Sequence, residues 1–225
     1  MTSSKPVSDG PFVLYGYFRS SASFRVRIAL NLKGIQPEYV PVHLLRSGGE
    51  QHGEAYRAVN PQGLVPALRH GDHVISQSLA IIEYLDEIVS EPPLLPRDAL
   101  GRARVRALAY AITCDIHPLN NLRVLRHLRS SRGFDDAEAI AWQRHWISVG
   151  FQALETMLSQ APETDRFCHG DAPTLADICL VPQMRNARRV QLDLAPFPTL
   201  MRIEAAALAL AAFAQAQPEN QPDAE

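Results

Sequence analysis

Apolar and polar positions follow two rhythms along this chain, and the rhythm changes near its middle. FVLYGY (12–17) is short and rich in aromatic and branched residues, which predicts a strand. Ala22, Val26, Ala29 and Leu30 then recur at i, i+4, i+7 and i+8, one apolar stripe on a helix, with Gly34 placed for a C-terminal cap. Tyr39 to Leu45 predicts a second strand, followed by a polar, Gly-containing segment, Arg46 to Glu54. VPALRH (65–70), Gly71-Asp72 and HVIS (73–76) predict a hairpin with a two-residue turn. Ile81, Tyr84, Leu85 and Ile88 mark the next helix, so the order is β-α-β, then a hairpin and a helix.

Pro92, Pro93 and Pro96 interrupt the pattern and predict a domain boundary. Beyond it the helical period dominates. Val105, Leu108, Ala109, Ile112 and Ile116 form one stripe; Ile147, Gly150, Phe151, Leu154 and Leu158 form another. Thr174 and Asp177 have the spacing of a capping box. The fold class expected is α/β plus all-α, with domains over 12–92 and 98–215. The polar, Pro-containing ends, 1–11 and 216–225, are expected to be flexible.

Composition narrows the function classes. Of 225 residues 46% are hydrophobic, ordinary for a globular chain, and a net charge of -2 gives no global case for nucleic acid. Lysine stands only at positions 5 and 33; arginine supplies the remaining positive charge and reads mainly as solvated surface. Three cysteines, Cys114, Cys168 and Cys179, lack CxxC spacing and fall in apolar helical stretches, which predicts core thiols rather than disulfides or a zinc site. With no apolar run suited to a signal peptide or a bilayer span, a cytoplasmic protein without membrane partners is expected.

Four segments carry candidate chemistry. RSSASFRVRIAL (19–30) places Ser20 and Ser21 where the first strand meets its helix. The free N–H groups and positive end of that helix favour an anion, above all a thiolate, although either serine can equally be a simple N-cap. Pro66 opens a predicted strand after Val65, the position of an edge strand or of a cis turn that offers the Val65 backbone to an extended peptide. Gln77 and Ser78 make a second anion-friendly helix start, with Ser78 as N-cap. HPLNNLR (117–123) bends a helix at Pro118 and is either a site wall or a surface bend. Arg188 and Arg189 are solvated or turned inward to receive a carboxylate. His70 and His73 fall on a turn without a third ligand, so no metal is expected, and GxSxG, Walker, GxGxxG and HExxH patterns do not occur.

Taken together, YFRSSASFRVRIALNLKG, VHLLRSGGEQH, NPQGLVPAL, QSLAIIEYL, CDIHPLNNLRVL, PTLADICLVPQ and NARRVQLDL resemble, in order, the zeta class of glutathione transferases. This class includes the maleylacetoacetate isomerases and glutathione-dependent maleylpyruvate isomerases. The resemblance spans roughly 12–215. It implies a thioredoxin-like N-terminal domain with a cis bond at Pro66, an all-helical C-terminal domain and a homodimer. Glutathione would pair with the Val65 backbone, with Gln77 and Ser78 at its γ-glutamyl carboxylate and Gln51 along its glycyl end. By the same carry-over Ser20 stabilises the thiolate, with Ser21 beside it, and His117, Asn121 and Arg123 contribute from the helical domain. Arg19 and Arg189 would grip the carboxylate of a small maleyl dicarboxylate substrate.

The activity implied is glutathione-dependent cis–trans isomerisation of maleylacetoacetate, in aromatic amino-acid breakdown. Maleylpyruvate is the neighbouring alternative, and conjugation or dehalogenation of small α-haloacids a third. A glutathione-transferase-fold binding protein without turnover is the rival of a different class. The sequence departs from the family at one point: Ala22 stands where a Cys commonly follows the two serines. That excludes a mechanism needing a protein thiol at this position but leaves one using the thiol of glutathione.

Overall fold

The computed structural model describes residues 10–225; positions 1–9 of the expected leader lie outside the described residues. Two compact units divide the chain, one of residues up to Pro93 together with Ala211–Glu225, the other Leu94–Leu210.

The first unit is built on a four-stranded sheet in the order β2-β1-β3-β4, with β1 Phe12–Gly16, β2 Glu38–Pro41, β3 Ala67–His70 and β4 His73–Ser76. β1 and β2 are parallel and therefore need a crossover, supplied by helix α1 (Ser21–Leu32). β1/β3 and β3/β4 are antiparallel, the latter closed by the Gly71-Asp72 turn with His70 opposite His73. Helix α2 spans Glu54–Val59 and α3 spans Ser78–Ile88. This is the expected thioredoxin-like arrangement. The second predicted strand is shorter than its apolar run, because after Pro41 the chain leaves the ladder for the 3₁₀ turns at Arg46–Gly48 and Glu50–His52. The stripe residues Val26, Ala29 and Leu30 are buried, and Tyr17, Phe18, Val42, Tyr56 and Val65 form a smaller apolar cluster.

In the second unit, α4 (Ala99–Tyr110) runs into a π-helical stretch, Ala111–Ile116, then a 3₁₀ turn, His117–Asn120. Helices α5 (Leu122–Arg132), α6 (Asp136–Ser159), α7 (Leu175–Arg189) and α8 (Pro198–Leu208) follow. Both predicted stripes are largely internal: Ile112, Ile116, Ile147, Phe151, Leu154 and Leu158 are each at most 2% exposed. Gly150 is required where the stripes meet, since a Cβ there would stand 2.3 Å from the Ile116 side chain. Helix α7 is buried almost all round, so its own packing rather than amphipathicity places it.

Two expectations are corrected. The segment 216–225 is not a loose tail: with helix α9 (Ala211–Gln215) it packs into the first unit, where Ala216 is buried and Asp223 and Glu225 hold side-chain partners. At the other end Pro11 already accepts a hydrogen bond from the Gly71 N–H at 3.3 Å. Cys168 and Cys179 are core, but Cys114 is exposed. The π stretch keeps Ile112 and Ile116 inward at a spacing of four and leaves position 114 outward.

Candidate active site

Strand register gathers one set of candidate residues. Gly16 lies opposite Pro41, Tyr15 opposite Ala67, and Ala67 opposite Ser76. The ends of β1, β2 and β4 and the start of β3 therefore share one end of the sheet. From that end leave the Arg19-Ser20 turn, the loop carrying Gln51, the Val65-Pro66 junction and Gln77-Ser78.

Ser20 is the N-cap of α1: its side-chain oxygen accepts from the Ser23 N–H at 3.2 Å. The cap and anion readings are compatible, because a hydroxyl that accepts one bond still has its hydrogen to donate. Ser21, the first helical residue, is buried. Arg19 is exposed and lies against the Tyr17 hydroxyl, whose pKa is raised mainly by burial despite that guanidinium. Gly16 lets the strand approach closely, since a Cβ would come within 3.0 Å of the Tyr39 ring.

The Val65–Pro66 bond is cis, and Val65 is buried. At α3 the structure corrects the sequence reading. Gln77, not Ser78, is the N-cap, at φ 71°, and no side chain caps the helix. A left-handed glutamine costs on the order of 1 kcal/mol or more, and such outliers cluster at ligand sites. The first N–H groups of α3 remain available to an anion. Ser78 is buried and its oxygen accepts from Arg25 Nη1 at 3.3 Å, while Gln77 Nε2 donates to Gln62 at 2.9 Å.

Gln51 is 4% exposed, with its amide nitrogen 3.1 Å from His52 and its oxygen buried without a hydrogen-bond partner. From this one end of the sheet, an orphaned amide oxygen can accept from the amide N–H groups of a bound tripeptide such as glutathione, and the uncapped helix start can receive its carboxylate.

In the helical unit, Asn121 caps α5 by accepting from the Arg123 N–H at 3.1 Å, and its amide nitrogen is 3.4 Å from His117 Nε2. Pro118 sits in the first turn of the 3₁₀ segment, where its missing N–H is tolerated, and the chain leaves helical conformation only at Asn121, with φ -72° and ψ 146°. Arg123 is exposed. Arg188 pairs with the buried carboxylate of Glu204, whereas Arg189 ends α7 on an exposed turn. His70 serves the fold: it stacks on Phe12 at 3.9 Å and meets the Tyr84 hydroxyl at 2.7 Å, while His73 is exposed.

Sequence reasoning missed Arg25 and Arg27, both nearly fully buried on α1. Both fall beside the Ala22, Val26, Ala29 and Leu30 stripe and not on it, so the helical period assigns their charges to solvent.

The first unit matches the family model of the glutathione S-transferase N-terminal domain over residues 14–93. A probable maleylacetoacetate isomerase of Vibrio cholerae serotype O1 is 51% identical over 94% of this chain and 98% of its own. A maleylpyruvate isomerase of Ralstonia is 53% identical over 93% and 98% respectively. Among solved structures, a maleylacetoacetate isomerase from Methylobacterium extorquens AM1 with bound malonate and glutathione superposes with a TM-score of 0.91, at 44% identity, over 95% of this chain and 99% of that one. The chain belongs to the zeta class of the glutathione transferases, the family of these isomerases.

Proposed function

We propose that this protein is a glutathione-dependent cis–trans isomerase that converts maleylacetoacetate to fumarylacetoacetate. The observation carrying the reading is the shared sheet end, where the Ser20 hydroxyl, an uncapped α3 and the orphaned Gln51 oxygen leave from neighbouring strand termini. When bound, glutathione supplies a sulfur nucleophile that adds to the alkene and departs again, so that the intervening single bond can turn. Val65, Gln77, Ser78 and Gln51 would hold the tripeptide. Ser20, with the first N–H groups of α1, keeps negative charge favourable at the sulfur position. Ser21 starts the same helix. His117, Asn121 and Arg123 belong to the same reading as contributions from the helical unit.

Arg19 and Arg189 are assigned to the substrate's carboxylate, which a guanidinium grips with two parallel hydrogen bonds. The same positive charge suits an enolate developing on the ketone oxygen. Replacing Arg189 by Ala is expected to raise KM and lower turnover while glutathione affinity, measured by calorimetry, persists. Unchanged kinetics would remove Arg189 from the site.

Maleylpyruvate is the second reading, favoured by a relative of that activity as similar to this chain as the maleylacetoacetate isomerases are. A homodimer in the cytoplasm is part of the proposal. Among the described residues no helix is long and apolar enough to cross a membrane. The test is a spectrophotometric isomerisation assay on both maleyl substrates, with and without glutathione. Glutathione-dependent activity on maleylacetoacetate is expected; activity that ignores glutathione overturns the mechanism, and activity confined to maleylpyruvate changes the substrate.

A further inference from the structure

The segment Ala211–Glu225 is stitched to the first unit at successive points, and the bonds lead toward the Arg19-Ser20 turn. Asn31 Nδ2 donates to the Ala212 carbonyl at 2.9 Å. One turn earlier on α1, the buried Arg27 guanidinium spreads over three carbonyls. Nε donates to Ala216 at 3.0 Å, Nη2 to Phe18 at 3.1 Å and Nη1 to Tyr17 at 3.4 Å. The chain then brings Asp223 to the same turn, where its carboxylate accepts from the Phe18 N–H at 3.0 Å. Phe18 is thus held at its N–H by Asp223 and at its carbonyl by Arg27, immediately before Arg19 and Ser20.

The last residue reaches the second site loop. Glu225 pairs with Arg46 at 2.9 Å and faces His43 Nε2 at 3.2 Å. His43 Nδ1 accepts from the Leu45 and Arg46 N–H groups, which leaves the ring's proton on Nε2. The His43 backbone is bonded in turn to Glu50, the neighbour of Gln51, through its N–H at 2.7 Å and its carbonyl at 2.9 Å.

We propose that this segment is a built-in clamp and that Asp223 is a positioning residue, fixing the turn that presents the Ser20 hydroxyl. The role rests on the isomerase reading in so far as Ser20 serves the sulfur; the clamp itself does not. A carboxylate–amide bond is among the stronger kinds and restrains the backbone two residues before Ser20, where a small displacement changes the aim of a hydroxyl. The Asp223 charge is also felt beneath the turn, where the Tyr39 hydroxyl is raised in pKa first by burial and then by this carboxylate.

The test compares wild type, Asp223→Ala and Asp223→Asn in the full chain, since the asparagine oxygen can still accept from Phe18. In the ligand-free protein, amide hydrogen exchange over residues 18–20 is expected to quicken roughly tenfold or more in the alanine variant, the size of losing a charge-assisted bond. It should return toward wild type in the asparagine variant. With glutathione bound, the ionisation midpoint of its sulfur, followed by thiolate absorbance, is expected to rise in Asp223→Ala and recover in Asp223→Asn. Exchange that is equal in wild type and the alanine variant overturns the clamp. Faster exchange with an unmoved midpoint, or an asparagine variant no better than alanine, overturns the positioning role. If wild type binds no glutathione, the isomerase reading and the positioning role fall together, and the exchange comparison alone decides the clamp.

Discussion

Replacing Ser20 by Ala is expected to lower glutathione-dependent turnover about 100-fold, the size of removing one hydrogen-bond donor aimed at an anion. The structure also gives this residue a second task, because its oxygen caps α1 through the Ser23 N–H. The two tasks separate on substitution. Alanine at an N-cap costs about 1 kcal/mol of stability, whereas glycine costs only a few tenths. Ser20→Gly therefore lacks the hydroxyl but keeps most of the cap. Turnover should fall alike in both variants, while the melting temperature drops chiefly in Ser20→Ala. Steady-state kinetics and thermal unfolding of the same preparations check this, and near-wild-type turnover in Ser20→Gly would sink the role of the hydroxyl.

Ser20 was legible because its signal is local: a hydroxyl between a strand and an apolar stripe of period 3.6. The same holds for the hairpin at Gly71-Asp72 and for the capping box at Thr174, where spacing and residue type fix the geometry. Arg25 and Arg27 were not legible, since a charge on a helix normally means solvent. Here long-range partners reverse that preference: Ala216 lies 189 residues from Arg27. Asp223 is the extreme case. Its polar, Pro-containing surroundings have the composition of a loose end, yet its partner Phe18 is 205 residues away. Cys114 was misjudged from its apolar surroundings and not from the period: two residues past Ile112 it lies roughly opposite the buried stripe of Ile112 and Ile116, where the helical repeat itself places it outside. At Gln77 it was the conformation that could not be read, since glutamine gives no hint of a positive φ.

Replacing Asp177 by Ala is expected to destabilise the helical unit by about 3–5 kcal/mol, the size of leaving two or more buried donors without a partner at about 1–3 kcal/mol each. Asp177 is fully buried at the start of α7 and accepts from the Cys168 N–H at 2.8 Å and from the Thr174 N–H and hydroxyl at 2.8 and 2.9 Å. Alanine strands those donors, two of them backbone groups with no rotation to find another partner. Against a typical total of about 5–15 kcal/mol, the loss should lower the urea midpoint of the full chain markedly. Asparagine offers one oxygen but sets an NH₂ against the other donor, so Asp177→Asn should fall between wild type and alanine. Acidity provides an independent check. Burial raises the Asp177 carboxyl, and the hydrogen bonds from Cys168 and Thr174 act in the opposite direction without cancelling the rise. With the folded value above the unfolded one, the stability this group contributes is fully present below the ordinary carboxylate range and lost as pH rises through the folded value. The margin of wild type over Asp177→Asn, which has nothing to titrate, should therefore widen as pH is lowered toward about 4. A margin that narrows over that window would show that the buried carboxylate is held by its donors more strongly than it is penalised by burial, and a flat one that the two balance.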